Sequence, residues 1–102
     1  MNPIQNIKKE LARLVIEALE KARDCGQLDY QLPPEFVIEV PKDSGHGDFA
    51  CNAAMLLARQ ARMAPRQIAE IIISHIDRKE NFLAKVEVAG AGFINFFLNN
   101  NW

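Results

Sequence analysis

The sequence predicts one α+β domain, in which a small and largely antiparallel sheet carries helices packed on one face. Three observations support this fold class. Apolar residues recur at spacings of three and four in several segments, which is typical of helices, and they alternate in shorter segments, which is typical of strands. The length of 102 residues supplies one hydrophobic core and is too short for two, so residues 1–102 are interpreted as one domain. The predicted order of elements is α-β-α-α-β-β.

The first helix is predicted from about residue 3 to about residue 24. Asn2 and Pro3 provide a cap and a first-turn signal, and apolar residues then follow the helical period. Gly26 is the predicted stop. The next alternating segment, FVIEV at residues 36–40, predicts the first strand, which ends at Pro41.

Two further helices are predicted in the middle of the chain. Asp48 is expected to cap the second helix, which reaches about Arg62 and buries Phe49 and Leu56 against the sheet. Pro65 begins the third helix by the first-turn rule, and the segment 79–81 is expected to end it. His75 lies on that third helix, and its predicted role is structural and partly buried.

The end of the chain predicts a β-hairpin. Residues 85–89 alternate in polarity, and the segment FINFFL at residues 93–98 forms the last strand. Gly90 and Gly92 lie between them, where a tight turn needs residues that tolerate positive φ.

Composition excludes several classes of protein. Hydrophobic residues make up 49% and charged residues 25%, which argues against a disordered chain. The net charge of −1 excludes a global field that would hold nucleic acid without specificity. No apolar run is long enough to span a membrane. Cys25 and Cys51 are predicted to be buried, reduced thiols of a cytoplasmic protein, and no group of residues has the spacing of a metal site.

The sequence suggests one catalytic function to consider, a hydrolase built on Ser44, His46 and Asp48. We reject it, because polar residues that are close together in one loop, here with Asp43, are far more often turn formers and helix caps than a catalytic triad.

Arg59, Arg62 and Arg66 form a basic cluster without an intervening acidic residue. A solvated helix face is the default interpretation of such a cluster. A contact with the phosphates of a nucleic acid is the alternative.

The last strand poses the sharpest question, because an amide stands among phenylalanines. Alternation directs Ile94, Phe96 and Leu98 to the core and Phe93, Asn95 and Phe97 to the other face. An unpaired amide in a dry core costs about 1–3 kcal/mol, so Asn95 is expected to be wet or hydrogen-bonded. Either this face stacks and reads RNA bases, or a loop or helix covers it and Asn95 bonds the backbone.

Three segments, PKDSGHGDFACNAAM, MAPRQIAEII and VEVAGAGFINFFL, resemble the N-terminal additional domain of arginyl-tRNA synthetase in their order and spacing. The resemblance covers nearly the whole chain. It implies a monomeric, non-catalytic module that contacts the D-loop of tRNA(Arg) and precedes the enzyme's own catalytic domain. The class I signatures HIGH and KMSKS do not occur in this sequence. No cofactor is expected in this chain, since ATP with Mg²⁺ belongs to the catalytic domain of the parent enzyme.

The resemblance also assigns roles to residues. Phe93 matches the aromatic residue, often tyrosine in the family, that stacks on a D-loop base, and Asn95 matches the asparagine that hydrogen-bonds it. The tRNA-binding residues expected from the resemblance, the outer face of the last strand and the basic cluster together are Phe93, Asn95, Phe97, Asn100, Arg59, Arg62 and Arg66. The family match is loose at Asn100 and at Leu98. Asp48, Phe49 and Asn52 are expected to be structural, as a cap, a core ring and an amide that ties the second helix to the sheet. The alternative is a free-standing domain that uses the Phe93 face to bind protein.

Overall fold

The computed structural model of the protein describes residues 3–42, 44–77 and 82–99. It confirms the α+β class, and the three helices occur where the sequence predicts helices. In chain order the elements are α1 (Pro3–Asp24), β1 (Ile38–Glu39), a short 3-10 turn (Ser44–His46), β2 (Phe49–Cys51), α2 (Ala53–Ala61), α3 (Pro65–Ser74), β3 (Leu83–Ala89) and β4 (Phe93–Leu98).

The sheet is antiparallel throughout, and its strands lie in the order β1-β2-β4-β3. β3 and β4 form the predicted hairpin. β2 pairs with the other edge of β4, where Phe49 is opposite Phe96 and Ala50 is opposite Asn95. The centre of the sheet is therefore made by β2 and β4, the two strands that carry most of the distinctive residues.

The core lies between the sheet and the helices. Ile94 and Phe96 are fully buried on the helical face of β4, as alternation predicts, and Leu98 is partly buried at its end. The helices contribute buried residues at helical spacing, among them Leu11, Leu14, Val15, Ala18, Ala53, Ala54, Leu57, Ile68, Ala69 and Ile72. Burial of this apolar surface is the main favourable contribution to the stability of the fold.

The prediction that Asp48 caps the second helix is wrong. Residues 49–51 are a strand, and α2 begins only at Ala53. The carboxylate of Asp48 instead accepts a hydrogen bond from the backbone N–H of Leu98, at 2.8 Å. Pairing with β4 and β1 on both sides outweighs the local helical pattern, because backbone hydrogen bonds and burial of Phe49 are gained together.

The later helix start also changes which face of α2 is inward. Phe49 is buried as predicted, although from a strand, whereas Leu56 is exposed. Leu57 occupies the buried position instead. The expected burial of Leu56 is therefore wrong.

Several boundaries are shorter than the patterns predict. The first strand covers residues 38–39 and not 36–40, and α3 ends at Ser74, before the predicted end at 79–81. Arg62 takes a left-handed conformation, with φ of 56°, and ends α2. Cys25 is exposed, contrary to prediction, because it follows the end of α1 and does not lie on its buried face.

Within the described ranges, no helix has the length and apolar character needed to cross a membrane.

Candidate nucleic-acid interface

A cleft of about 460 Å³ opens beside β4, and the amide of Asn95 and the ring of Phe93 both line it. One wall comes from the segment between β1 and β2, and the other comes from the β3–β4 hairpin. The lining residues are Glu39, Val40, Pro41, Lys42, His46, Ala50, Ala89, Gly90, Phe93 and Asn95. Alternation along β4 turns Phe93 and Asn95 away from the core residues Ile94 and Phe96, so the cleft lies on the face opposite the helices.

Asn95 lies deeper in this cleft than the sequence predicts. Its residue is only 4% exposed, and it is the one buried polar residue in the described part of the chain. Its cross-strand neighbours are Ala50 on β2 and Glu87 on β3. The small side chain of Ala50 leaves space above the strand, so the amide borders the cleft while the surrounding residues cover most of it. No fully buried side-chain nitrogen or oxygen among the described residues lacks a hydrogen-bond partner.

The two phenylalanines on this face of β4 differ in accessibility. Phe93 is 40% exposed and stands at the cleft, so one side of its ring is available for stacking. Phe97 is half-buried, and the ammonium of Lys85 lies 4.3 Å from its ring centroid, which is the geometry of a cation–π contact. Phe97 is thus already partnered, whereas Phe93 presents free aromatic surface.

The hairpin turn that carries Phe93 is packed onto the start of α3. Gly90 and Gly92 have positive φ values of 55° and 137°. A Cβ atom on Gly92 would lie 2.7 Å from Cβ of Pro65 and 2.9 Å from its carbonyl carbon, so glycine is required there for steric reasons as well. Nη1 of Arg66 donates a hydrogen bond to the carbonyl oxygen of Gly90 at 2.7 Å.

The opposite wall is attached to β4 through the residues around Asp48. The backbone N–H of Asp48 donates to the carbonyl oxygen of Phe96 at 2.8 Å, in addition to the carboxylate bond to Leu98. A Cβ on Gly47 would approach the carbonyl oxygen of Phe96 to 2.8 Å, which shows how closely this loop lies on the strand. These contacts hold His46 at the cleft. They also commit the carboxylate of Asp48 to the backbone of β4, which is consistent with rejecting the hydrolase triad.

Asn52 connects α2 with the segment before β1. Its Oδ1 accepts a hydrogen bond from the backbone N–H of Val37 at 3.0 Å. Although Asn52 occupies the N-cap position of α2, its side chain makes no capping hydrogen bond there.

The three arginines of the basic cluster have different surroundings in the structure. All three arginines are exposed, but the guanidinium of Arg66 is already used by the hairpin turn. Arg59 lies in the last turn of α2, and Arg62 lies at its left-handed end. Asn100, the remaining residue expected to contact tRNA, falls outside the described residues.

The histidine and cysteines predicted to be structural occupy two different environments. Cys51 is buried, and desolvation, only partly opposed by a backbone hydrogen bond from Ala53, raises the pKa of its thiol to about 11. His75 is partly buried, as predicted, and hydrogen-bonds the side chain of Gln27, with Sγ of Cys25 3.8 Å from its Nε2. No group of three or more His, Cys, Asp or Glu side chains suited to a metal ion occurs among residues 3–42, 44–77 and 82–99.

Sequence reasoning missed much of one cleft wall. Val40, Pro41, Lys42 and His46 all line the cleft. Their position depends on the pairing of β1 and β2, and the sequence offered no signal for β2.

Comparison with known proteins gives the family. A model of the family described as the arginyl tRNA synthetase N terminal domain matches residues 5–98. The chain belongs to this family. Among curated relatives, the arginine–tRNA ligase of Moorella thermoacetica is 51% identical over 102 residues, and that of Desulforamulus reducens is 50% identical over 99 residues. These matches cover 100% and 97% of this chain and 18% of each relative, so this member of the family spans about a fifth of the length of those ligases.

Solved structures of the family share the fold. Arginyl-tRNA synthetase from Plasmodium falciparum matches with a TM-score of 0.74 at 17% identity, over 93% of this chain and 16% of that one. The Thermus thermophilus enzyme matches with a TM-score of 0.68 at 23% identity, over 92% of this chain and 14% of that one. At these identities the likeness concerns the arrangement of helices and strands.

Proposed function

We propose that this domain is a tRNA-binding N-terminal module of an arginine–tRNA ligase, and that its cleft receives a splayed base from the D-loop of tRNA(Arg). The observation that carries the proposal is the joint position of Phe93 and Asn95 in one cleft, with an exposed ring beside a covered amide. Stacking on an aromatic ring and hydrogen bonding to a base edge are the two contacts by which proteins read unpaired RNA bases. Membership of the arginyl-tRNA synthetase family supports tRNA(Arg) as the RNA in this proposal.

The two side chains have different tasks in this proposal. Phe93 supplies affinity, because the face of any base stacks on an aromatic ring. Asn95 supplies discrimination, because the part of its amide that borders the cleft can form a hydrogen bond with the edge of the base. The low exposure of Asn95 strengthens this task, since water competes less for an amide at the bottom of a cleft.

In this proposal the domain contributes to the ligase by positioning the tRNA. By holding the D-loop, the monomeric domain helps to align the tRNA for the attachment of arginine, which the parent enzyme carries out in the cytoplasm with ATP and Mg²⁺ bound outside this domain. None of the residues in the cleft is assigned a chemical step. A defect in the cleft should therefore raise KM for tRNA more than it lowers kcat.

The test measures tRNA(Arg) binding by the ligase that carries this domain. Phe93→Ala should weaken binding by about 1–3 kcal/mol, or roughly 5 to 150-fold, whichever base occupies the D-loop position. Phe93→Tyr is the control, because it keeps the aromatic ring and should bind tRNA(Arg) nearly as well as the unsubstituted enzyme. Asn95→Ala should instead cost most with the preferred base and reduce the discrimination among tRNAs that differ at that base.

Two results would contradict the proposal. The first is unchanged tRNA binding in a folded Phe93→Ala enzyme. The second is an Asn95→Ala enzyme that loses stability while its discrimination between bases is intact, which would make the amide a structural element. Loss of a protein partner with normal tRNA binding in Phe93→Ala would favour the alternative role in binding protein.

A further inference from the structure

A row of four paired residues crosses the sheet on the face of the cleft. Glu39 on β1 is paired with Ala50 on β2, and Ala50 is paired with Asn95 on β4. Glu87 on β3 is paired with Asn95 and ends the row. Residues that are paired across strands point to the same face of a sheet, so Glu39 and Asn95 both point into the cleft that they line. The carboxylate of Glu39 therefore belongs to the same site as the amide of Asn95.

Ala50 separates these two polar side chains. Neighbouring strands lie about 4.8 Å apart, so two strand spacings, roughly 9–10 Å, separate the backbones of Glu39 and Asn95. Only the methyl group of Ala50 stands between them in the row. A ligand that reaches Asn95 can therefore extend over Ala50 to Glu39.

The carboxylate of Glu39 is free to bind a ligand. Glu39 is exposed, and it makes no ion pair and no side-chain hydrogen bond with any residue that the structure describes. Glu87, at the other end of the row, is paired with Lys85 at 3.1 Å and does not line the cleft. A carboxylate only accepts hydrogen bonds, so Glu39 can hold a ligand only through a donor group on that ligand.

The ribose is the part of an RNA nucleotide that fits this position. Phosphate oxygens would repel a carboxylate, whereas the 2′-hydroxyl of the ribose can donate to one. The ribose is attached on the side of a base remote from its Watson–Crick edge, so a base that presents this edge to Asn95 places its ribose farther along the cleft. From Asn95 the cleft extends towards Glu39 and not towards Glu87, which brings the ribose to Glu39.

We propose that Glu39 accepts a hydrogen bond from the 2′-hydroxyl of the nucleotide whose base enters the cleft, so that this site selects ribose over deoxyribose. The inference rests on the proposed function, since it takes the base between Phe93 and Asn95 as given. Stacking on Phe93 does not distinguish RNA from DNA, whereas a contact with the 2′-hydroxyl does. Lys42 lines the same wall, and its positive charge opposes the repulsion between Glu39 and the RNA phosphates.

The experiment measures how the ligase that carries this domain binds tRNA(Arg) with an altered sugar. The tRNA is assembled from synthetic halves, with a 2′-deoxy or a 2′-fluoro sugar at one D-loop nucleotide at a time. Neither sugar can donate a hydrogen bond from its 2′ position, and the two favour opposite ring puckers, so an effect that both share reports the missing donor. At one D-loop nucleotide, both altered tRNAs should bind about 3 to 10-fold more weakly than the unaltered tRNA, which is the effect of one ordinary hydrogen bond.

Variants of the domain assign this preference for ribose to Glu39. Glu39→Ala should bind the altered and unaltered tRNAs equally, because the acceptor is lost. Glu39→Gln keeps an amide oxygen and should retain part of the preference. Two matched controls should retain all of it, whatever their overall affinity: Glu87→Gln removes a carboxylate from the same row, and Lys42→Gln removes a charge from the same wall. All three positions are exposed, so the domain should remain folded.

Equal binding of altered and unaltered tRNAs by the unsubstituted enzyme, at every D-loop nucleotide, would overturn the inference. A preference for ribose that persists in Glu39→Ala, or that disappears in Glu87→Gln, would overturn it too. A changed preference among bases in Glu39→Ala, with the preference for ribose intact, would assign Glu39 to the base edge instead.

The binding test on Phe93 does not involve the 2′-hydroxyl, so the two hypotheses can fail separately. Weakened binding by Phe93→Ala without any preference for ribose rejects this inference and leaves the proposed function intact. Unchanged binding by a folded Phe93→Ala enzyme rejects the proposed function itself.

Discussion

Phe49 on β2 and Phe96 on β4 are direct partners across the antiparallel ladder, and both side chains are buried. Their backbones join the two central strands, and their rings contribute to the single core between the sheet and the helices. The same pair of strands carries Ala50 and Asn95, the neighbours that shape the cleft on the opposite face. Stability of the core and geometry of the cleft therefore depend on one strand pairing.

We expect Phe49→Ala to destabilise the domain by about 3–5 kcal/mol, through lost burial and the cavity that remains. A domain of this size has a total stability of about 5–15 kcal/mol, so the variant should melt much earlier or not fold. Leu56→Ala is the control, since Leu56 is exposed and its truncation should change stability by no more than about 0.5 kcal/mol. Urea unfolding followed by circular dichroism measures both values. Near-normal stability of Phe49→Ala would show that this ring contributes little to the core.

Gly92→Ala and Gly26→Ala form a matched pair. Both glycines have positive φ, but a Cβ on Gly26 has no atom within 4 Å, whereas a Cβ on Gly92 meets Pro65. Gly26→Ala should cost only the backbone strain, about 1–2 kcal/mol. Gly92→Ala should cost a further amount of about 1–3 kcal/mol, because the turn must move away from α3. Thermal unfolding gives the difference, and equal losses would show that the turn adjusts freely.

Arg66 is expected to act on tRNA binding through the hairpin turn. Arg66→Ala removes the hydrogen bond to Gly90 and should weaken tRNA binding because Phe93 is less well fixed. The salt dependence of binding should change little, since no phosphate contact is lost. If Arg59 contacts a phosphate, Arg59→Ala should flatten the slope of log K against log salt by roughly 0.7 to 0.9.

Binding measured from low to moderate salt separates these roles. Arg66→Lys should restore part of the affinity, because an ammonium also donates to a carbonyl oxygen. A flattened salt slope in Arg66→Ala would identify Arg66 as a phosphate contact instead. An unchanged slope in Arg59→Ala would leave that residue on a solvated face.

Cys51 should resist alkylation at pH 8, whereas the exposed Cys25 should react. With a pKa of about 11, about one Cys51 thiol in a thousand is ionised at that pH, and burial restricts access as well. The neutral thiol is the form that the fold favours, so the unfolded chain releases its proton first as pH rises above the ordinary pKa of 9.0. The free energy of unfolding should then fall between about pH 9 and 11, and by less in Cys51→Ala. Equal alkylation of both cysteines in the folded domain would contradict this assignment.

The longest local patterns were the best predictors of the fold. The 22 residues of α1 repeat their apolar positions over many turns, and the hairpin has both alternating strands and glycines at its turn. β2 has three residues, too few to establish a period, and it exists because β1 and β4 pair with it. The prediction of a buried Leu56 failed for the same reason, since it assumed that the helix began before Phe49.

Within the candidate site, alternation placed Phe93 and Asn95 on one face of β4, and the family resemblance singled out the same two residues. The depth of Asn95 depends on residues far away in the sequence. Val40 and His46 approach it only after β1 and β2 have joined the sheet. The hydrogen bond from Arg66 to Gly90 could not be predicted from the sequence either, because a single side-chain contact across 24 positions leaves no periodic pattern.

The carboxylate of Asp48 has a consequence for how the sheet behaves towards other chains. β2 begins at Phe49, opposite Phe96, so the last two residues of β4 extend past the end of β2. There Oδ2 of Asp48 accepts the N–H of Leu98, which would otherwise point outwards as a free donor. Exposed donors of this kind attract strands from other molecules and promote aggregation. The side chain of Asp48 thus replaces one hydrogen bond that a neighbouring strand would make, and it protects β4 from pairing with a strand of another molecule.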